Sequence, residues 1–422
     1  MFFEKYQQFL VKHRNGLIKI VAVFALLIVI FELGRSTTHI GVVGELLHSP
    51  EVYSALCIVP VTLLLISRQF TINYVLLLFC LACMISVIIN HPSEHFMSPL
   101  RLCMFGGLLC LISPLIDSEP LLQVRRWMWR IMVMMLQGLV WVAFLLYMLK
   151  IAGITKLEPT VVGGHSNTLG VFTAFVAIVS VSRLLNKEIT GAPHKIYYIL
   201  TAVMSTVMTV YCGSRSALLG LAIALIYLLA VCKDRKRVIW AIASFAIIIG
   251  GLTVVSGQDI TGRVQRKFEI GIKHNSLIYS RQKHWQSRLE EFKESPVIGI
   301  GFAAVTRYSR MTPEQVASCE IPSKEEPASS WLSVLSNTGL IGFAIMVWWN
   351  VLLFLDVRRR RRSGDVTAAM LGALLIFFIV EGMFEGWVLY AGSTVFFLYW
   401  LLTSQIVLPV PAAARQPMEG RL

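Results

Sequence analysis

The chain has 422 residues, of which 56% are hydrophobic and 15% charged, with a formal net charge of +14. A soluble globular domain carries about 25% charged residues, so composition excludes an ordinary set of soluble domains, although the length alone would allow about two or three. The positive excess sits in short stretches beside apolar runs, the pattern of loops on the cytoplasmic side of a membrane, which argues against nucleic acid as a partner.

The basic N-terminal stretch (Lys5, Lys12, Arg14, Lys19) leads into an apolar run from Leu17 to Phe31. It is similar to a signal peptide, but the run is long and no small-residue cleavage site follows it. It reads as a retained first helix over 17–33. Further apolar stretches follow at 53–67, 73–90, 102–116, 131–152, 165–183, 196–212, 216–232, 238–256, 331–355, 367–384 and 388–408, which makes about twelve spanning helices. With the N-terminus in the cytoplasm, the inside segments hold Arg68, Arg125, Arg126 and Arg130, Arg183 and Lys195, Lys233 to Arg237, and Arg358 to Arg362. The outside short loops hold far fewer, as the positive-inside rule requires.

The expected fold is therefore an all-α polytopic membrane protein. Helices 1–9 fall within residues 1–256, a large outer loop spans 257–330, helices 10–12 lie within 331–410, and 411–422 form a cytoplasmic tail. The outer loop mixes both charge signs. Its Ser280–Phe292 stretch places Trp285, Leu289 and Phe292 at helical spacing, so part of the loop should be helical. A long loop with structure of its own is more often functional than not. Cysteines inside the apolar runs, such as Cys80, Cys83 and Cys110, read as small hydrophobes, and neither a metal site nor a disulfide framework is expected.

Five outer features can carry chemistry. In Tyr211-Cys-Gly-Ser-Arg215-Ser-Ala-Leu, Arg215 is either a turn residue or a fixed cation whose guanidinium matches phosphate oxygens. Arg281 and Trp285 share one face of the loop helix, and the following Pro296-x-x-Gly299-x-Gly301 reads as a tight turn that can present N–H groups to an anion. Glu325 and Glu326 precede a spanning helix, where a carboxylate serves as a general base or as a favourable charge near a helix N-terminus. In Gly163-Gly-His165-Ser-Asn167, Ser166 or Asn167 can cap a helix, and His165 is a base, a phosphate donor or a boundary residue. Glu381 and Glu385 stand one turn apart near the end of the eleventh helix, and intramembrane carboxylates are functional candidates. No nucleotide-binding motif is present, and a membrane enzyme facing outward has no nucleotide supply, so its donor would have to arrive on a lipid.

The order of these motifs, over roughly residues 160–390, resembles the superfamily of O-antigen ligases and Wzy-type O-antigen or exopolysaccharide polymerases. The resemblance rests on Gly-Ser-Arg215-Ser-Ala-Leu, on Ser-Arg281-x-x-x-Trp285 with Phe292 and Pro296-x-x-Gly299-x-Gly301, and on the stretch before Gly339-Leu-Ile-Gly342. It implies a GT-C-like, inverting, metal-independent glycosyltransferase of the bacterial inner membrane that needs no cofactor. Such an enzyme transfers a glycan from undecaprenyl pyrophosphate to a saccharide hydroxyl on the periplasmic face. Arg215 and Arg281 match the family's pyrophosphate-holding arginines, with Trp285, Asn167, Glu381 and Glu385 in support.

Ligases of this superfamily carry a His-Asn-like pair before the late Gly-rich helix. Here the stretch reads Glu325-Glu326-Pro-Ala-Ser-Ser330-Trp331, without the His. This departure favours a repeat-unit polymerase with Glu326 as base and His165 as the second choice. The acceptor is then a lipid-linked repeat unit, and a chain-length regulator is a further partner. The alternatives are a ligase acting on lipid A core and a flippase for the same lipid-linked units.

Overall fold

The computed structural model describes residues 58–64, 70–90, 98–163, 165–185, 191–231, 279–302, 329–391 and 393–407, with a few isolated positions besides. Regular structure among them is helical, apart from a short antiparallel pairing of β1 (Thr71–Ile72) with β2 (Ile116–Asp117). The helices that build the site are α1 (Tyr74–Asn90), α2 (Ser98–Ile112), α3 (Glu119–Ile151), α4 (Ser166–Leu185), α5 (Ala192–Cys212), α6 (Arg215–Val231), α7 (Tyr279–Glu294), α8 (Ser330–Arg362), α9 (Ala368–Glu381) and α10 (Thr394–Val407).

Among the described residues four helices, α3, α4, α5 and α8, are long and apolar enough to cross a membrane, and α1, α6, α9 and α10 are shorter apolar helices. The chain is an all-α membrane protein. Of the expected segments, 238–256 lies outside the described residues, 17–33 is described at isolated positions only, and 53–67 is described as helix over 58–64. Cys80 and Cys83, a Cys-x-x-Cys pair on α1, are free thiols.

The fifth expected segment begins earlier than its apolar run suggests. Ser118 leaves extended backbone at φ −143° and ψ 156°, Glu119 and Pro120 open the first turn, and α3 runs from there. Pro fits this position because its missing N–H would have no intrahelical partner. Arg125, Arg126 and Arg130 are thus helical rather than loop residues, which corrects their expected place. Arg125 is wholly buried. Its Nε donates to Leu111 O (2.8 Å), its Nη2 to Cys110 O (2.9 Å) and Ile116 O (2.7 Å), and its Nη1 pairs with Asp117. The guanidinium closes the last turn of α2, whose carbonyls lack intrahelical donors.

Helix α4 is the hub. Leu169 through Ser182 are buried on every side, as expected of a helix apolar all round, and α3, α5, α6 and α9 pack on it. Small residues allow the close crossings. A Cβ on Gly170 would lie 2.8 Å from Ser214 Cβ, and one on Gly220 would lie 2.8 Å from Phe377.

Helix α8 is broken. Gly339 has φ 65° and ψ −166°, which splits off Ser330–Thr338 from the longer Leu340–Arg362. The stretch after α7 threads into this break. Ile300 N–H donates to Ser336 O (2.9 Å), Gly301 N–H to Asn337 O (3.2 Å), Leu340 N–H to Pro296 O (2.8 Å) and Ile341 N–H to Val297 O (3.3 Å). The end of α1 fastens both strands: Ser86 Oγ donates to Asn337 O (2.6 Å) and Asn90 Nδ2 to Gly299 O (2.8 Å).

The bundle has two unlike ends. At one, the start of α3 and the ends of α8 and α10 meet: Gln405 Nε2 donates to Arg125 O (3.3 Å), and Arg360 donates to Ile406 O (3.0 Å) and to Asp365 Oδ2 (2.7 Å). This end carries Arg125, Arg126, Arg130 and Arg358 through Arg362. At the other end α5 and α9 finish and α4, α6 and α8 begin.

Candidate active site

Arg215 opens α6 just after a tight turn. Gly213, in left-handed conformation at φ 63°, ends α5 and donates to Val210 O (2.9 Å). Ser214 Oγ and Ser216 Oγ lie 3.2 Å apart, and Ser214 is seated against Gly170 of α4. Arg215 is half-buried. The next residue, Ser216, reaches the carboxylate of Glu381 at the end of α9.

A brace holds this turn from behind. Glu158, in the connection from α3 to α4, accepts from Lys150 Nζ (3.1 Å) and from the hydroxyl of Tyr211 (2.7 Å). The buried Tyr211 ring packs on Tyr147 at 4.9 Å between centroids. Three separate segments are thereby tied together four residues before Arg215.

Arg281 forms an ion pair with Glu385, the side chains being 16% and 14% exposed. The same Glu385 Oε1 accepts from Asn167 Nδ2 of α4 at 2.9 Å. Trp285, one turn beyond Arg281 on α7, packs on Phe384 with ring centroids 5.9 Å apart. Glu385 lies in the turn after α9, where its N–H donates to Glu381 O (3.1 Å). At partial burial such a pair interacts more strongly than it would in bulk water.

Ser330 fixes this turn. Its N–H donates to Gly382 O (2.8 Å) and Glu385 O (3.0 Å), its Oγ donates to Glu385 O (2.8 Å), and the same Oγ accepts from Trp387 N–H (2.9 Å). Trp331 Nε1 donates to Ile379 O (2.9 Å), and Trp387 Nε1 donates to the buried Glu381 carboxylate. Glu381 feels the charges of both Glu385 and Arg281.

Six of the expected residues are thus brought to one end of the bundle: Arg215, Arg281, Trp285, Asn167, Glu381 and Glu385. Glu326, the expected base, lies outside the described residues. His165 is exposed and precedes the first residue of α4; its carbonyl accepts from Leu169 N–H (3.0 Å). Neither Ser166 nor Asn167 takes the expected capping position, because α4 already begins at Ser166; the Asn167 amide reaches Glu385 instead. In the Pro296–Gly301 turn three N–H groups are engaged within the protein rather than offered to an anion. Gly299, Ile300 and Gly301 donate to Ser295 O, Ser336 O and Asn337 O.

Helix α7 buries part of the stripe that its apolar spacing suggests: Trp285 and Phe292 are half-buried, but Leu289 is not. Leu289 is 42% exposed, whereas Arg288 and Glu291 are 8% and 2% exposed and pair at 2.8 Å. Sequence reasoning also passed over Ser216, Ser330 and Trp387. The available signal was their adjacency to the motifs: Ser216 follows Arg215, and Ser330 stands in the Ser-Ser-Trp before α8.

Residues 200–347 match the family model described as O-antigen ligase. The matched stretch contains Arg215, Arg281, Trp285 and the break in α8 at Gly339 into which the segment after α7 threads. The resemblance to the superfamily of O-antigen ligases and Wzy-type polymerases is borne out. No curated protein matches the chain.

Proposed function

We propose that the chain is a membrane glycosyltransferase that moves a glycan from undecaprenyl pyrophosphate to a saccharide hydroxyl at the periplasmic face of the bacterial inner membrane, as a repeat-unit polymerase. The observation that carries this reading is the convergence of Arg281 with Glu385 and Asn167, beside the Arg215–Ser216 turn that meets Glu381. Cations from two distant motifs gather at the end of the bundle opposite its basic end. By the positive-inside rule that end faces outward.

The chemistry follows from the charges. As the acceptor oxygen bonds to the anomeric carbon, the bond from that carbon to the pyrophosphate oxygen breaks and its electron pair stays on the pyrophosphate. Preplaced guanidinium groups stabilise the charge that develops there more than they stabilise the intact donor. Arg215 and Arg281 take this role without a metal, and attack opposite the leaving group inverts the anomeric centre. Glu326 is the base that accepts the acceptor proton, with His165, two residues from Asn167, as the second candidate. The polymerase reading adds a chain-length regulator as a partner.

A ligase that attaches polysaccharide to lipid A core is the second reading, favoured by the description of the matching family. The Glu-Glu-Pro-Ala-Ser-Ser-Trp stretch, with no His before α8, favours the polymerase. Glycan banding in a strain lacking the gene tests the choice. A polymerase leaves single repeat units attached to core, whereas a ligase leaves long chains unattached. Unattached long chains would overturn the polymerase reading.

A further inference from the structure

We infer that Glu385 is the resting counter-ion of Arg281, and that the lipid pyrophosphate binds by displacing this carboxylate and is released with its help. The inference rests on the pyrophosphate role proposed above for Arg281. At 16% and 14% exposure both groups are open to a ligand yet only partly screened by water. They come from different elements: Arg281 has a long stem on α7, while Glu385 sits in a turn that Ser330 holds through its N–H and hydroxyl. Arg281 is therefore the member that swings, and Glu385 is the fixed post.

Asn167 makes the exchange feasible. It donates to the same carboxylate oxygen that Arg281 engages. When Arg281 turns to a phosphate, Glu385 keeps this hydrogen bond and is not left as an unpaired, half-buried charge, which would be strongly unfavourable. Glu381, wholly buried one turn earlier, adds a second acidic group beside the pair.

The reaction explains why such a competitor is useful. In the donor the pyrophosphate is a diester. After the anomeric C–O bond breaks, the lipid pyrophosphate gains a further ionisable oxygen and hence more negative charge. Two fixed arginines would then hold the product more tightly than the donor and slow the next cycle. A tethered carboxylate competes for Arg281 at high effective concentration. It lowers the apparent affinity for both lipids by the fraction of time that Arg281 is paired. Pairing for about nine-tenths of the time weakens binding about tenfold.

The test uses purified full-length protein in nanodiscs with undecaprenyl pyrophosphate as the probe. Glu385→Gln keeps the size and the Asn167 contact but removes the charge. It is expected to bind the probe about tenfold more tightly and to show a first-turnover burst followed by slow steady-state transfer. Glu385→Asp, a shorter carboxylate that draws back from Arg281, should shift in the same direction by less, and it serves if the Gln variant does not accumulate. Unchanged or weaker binding in these variants, with Arg281→Ala still losing the probe, overturns the counter-ion role and leaves the proposed function standing. Arg281→Ala binding the probe as the unaltered protein does would instead overturn the pyrophosphate reading itself.

Discussion

Gly299 and Gly339 lock into each other across the break in α8. A Cβ on Gly299 would lie 2.3 Å from the carbonyl carbon of Asn337, and a Cβ on Gly339 would lie 2.3 Å from that of Val297. Both glycines also have positive φ, 74° and 65°. This contact joins the segment after α7, the helix that carries Arg281, to α8.

Alanine at either position should therefore be severe. It meets backbone on both counts, strain and collision, and neither neighbour can rotate away. Gly299→Ala and Gly339→Ala are each expected to lose at least about 3 kcal/mol. Gly364→Ala is the control, since Gly364 has φ 82° but nothing within 4 Å of an added Cβ. It should lose only about 1 kcal/mol. Thermal unfolding in detergent reads the difference, and equal losses at all three positions would show that the interlock contributes nothing.

Ser330→Ala removes one hydroxyl that serves three backbone groups of the 385–388 turn. The unpaired N–H and C=O groups should lower stability by about 1–3 kcal/mol. Because the turn carries Glu385, transfer activity of the folded variant should fall by about tenfold or more. Ser330→Thr, which retains the hydroxyl, should recover part of both. Activity at the unaltered level in Ser330→Ala would detach the turn from catalysis.

Arg125→Ala tests the opposite end. It leaves Asp117 and three carbonyls without their donor, at an expected loss of about 3–5 kcal/mol. Arg125→Lys supplies one point charge for a forked group and should recover only part. The site lies at the far end of α3, so the folded fraction should keep its affinity for the donor lipid. A loss of donor affinity without a loss of stability would contradict this purely structural role.

Tyr211→Phe deletes the donor to Glu158 while keeping the ring packing on Tyr147. It should raise KM for the lipid-linked donor by severalfold, about 1 kcal/mol of binding, through looser positioning of Arg215. Donor titrations of purified protein check it, and a change in kcat at constant KM would place Tyr211 outside donor binding.

The helices were legible in the sequence wherever an apolar run coincided with the element, as in α1, α4, α5 and α6. The start of α3 was not, because Arg125 reads as a loop charge. Its burial is made possible by carbonyls of α2 and by Asp117, which only the packing reveals. The site residues were legible one by one, since an Arg beside a spanning helix or a Glu at its end is costly unless used. Their pairing was not: Arg281, Asn167 and Glu385 lie on three elements far apart in the chain. The Gly299 turn was visible as a turn, but its partner at Gly339 was a matter of tertiary contact. The buried stripe of α7 was hidden for a related reason: Arg288 and Glu291 pair inside the fold while Leu289 lies at the surface.

The central claim is that Arg215 and Arg281 hold the pyrophosphate of a lipid-linked donor during glycan transfer. Purified protein supplied only with undecaprenyl-pyrophosphate-linked repeat units tests it most directly. The unaltered chain should build a ladder of lengthening glycans without nucleotide or membrane gradient, and Arg215→Ala and Arg281→Ala, recovered as folded protein, should build none. A normal ladder from both variants would contradict the assignment of the site.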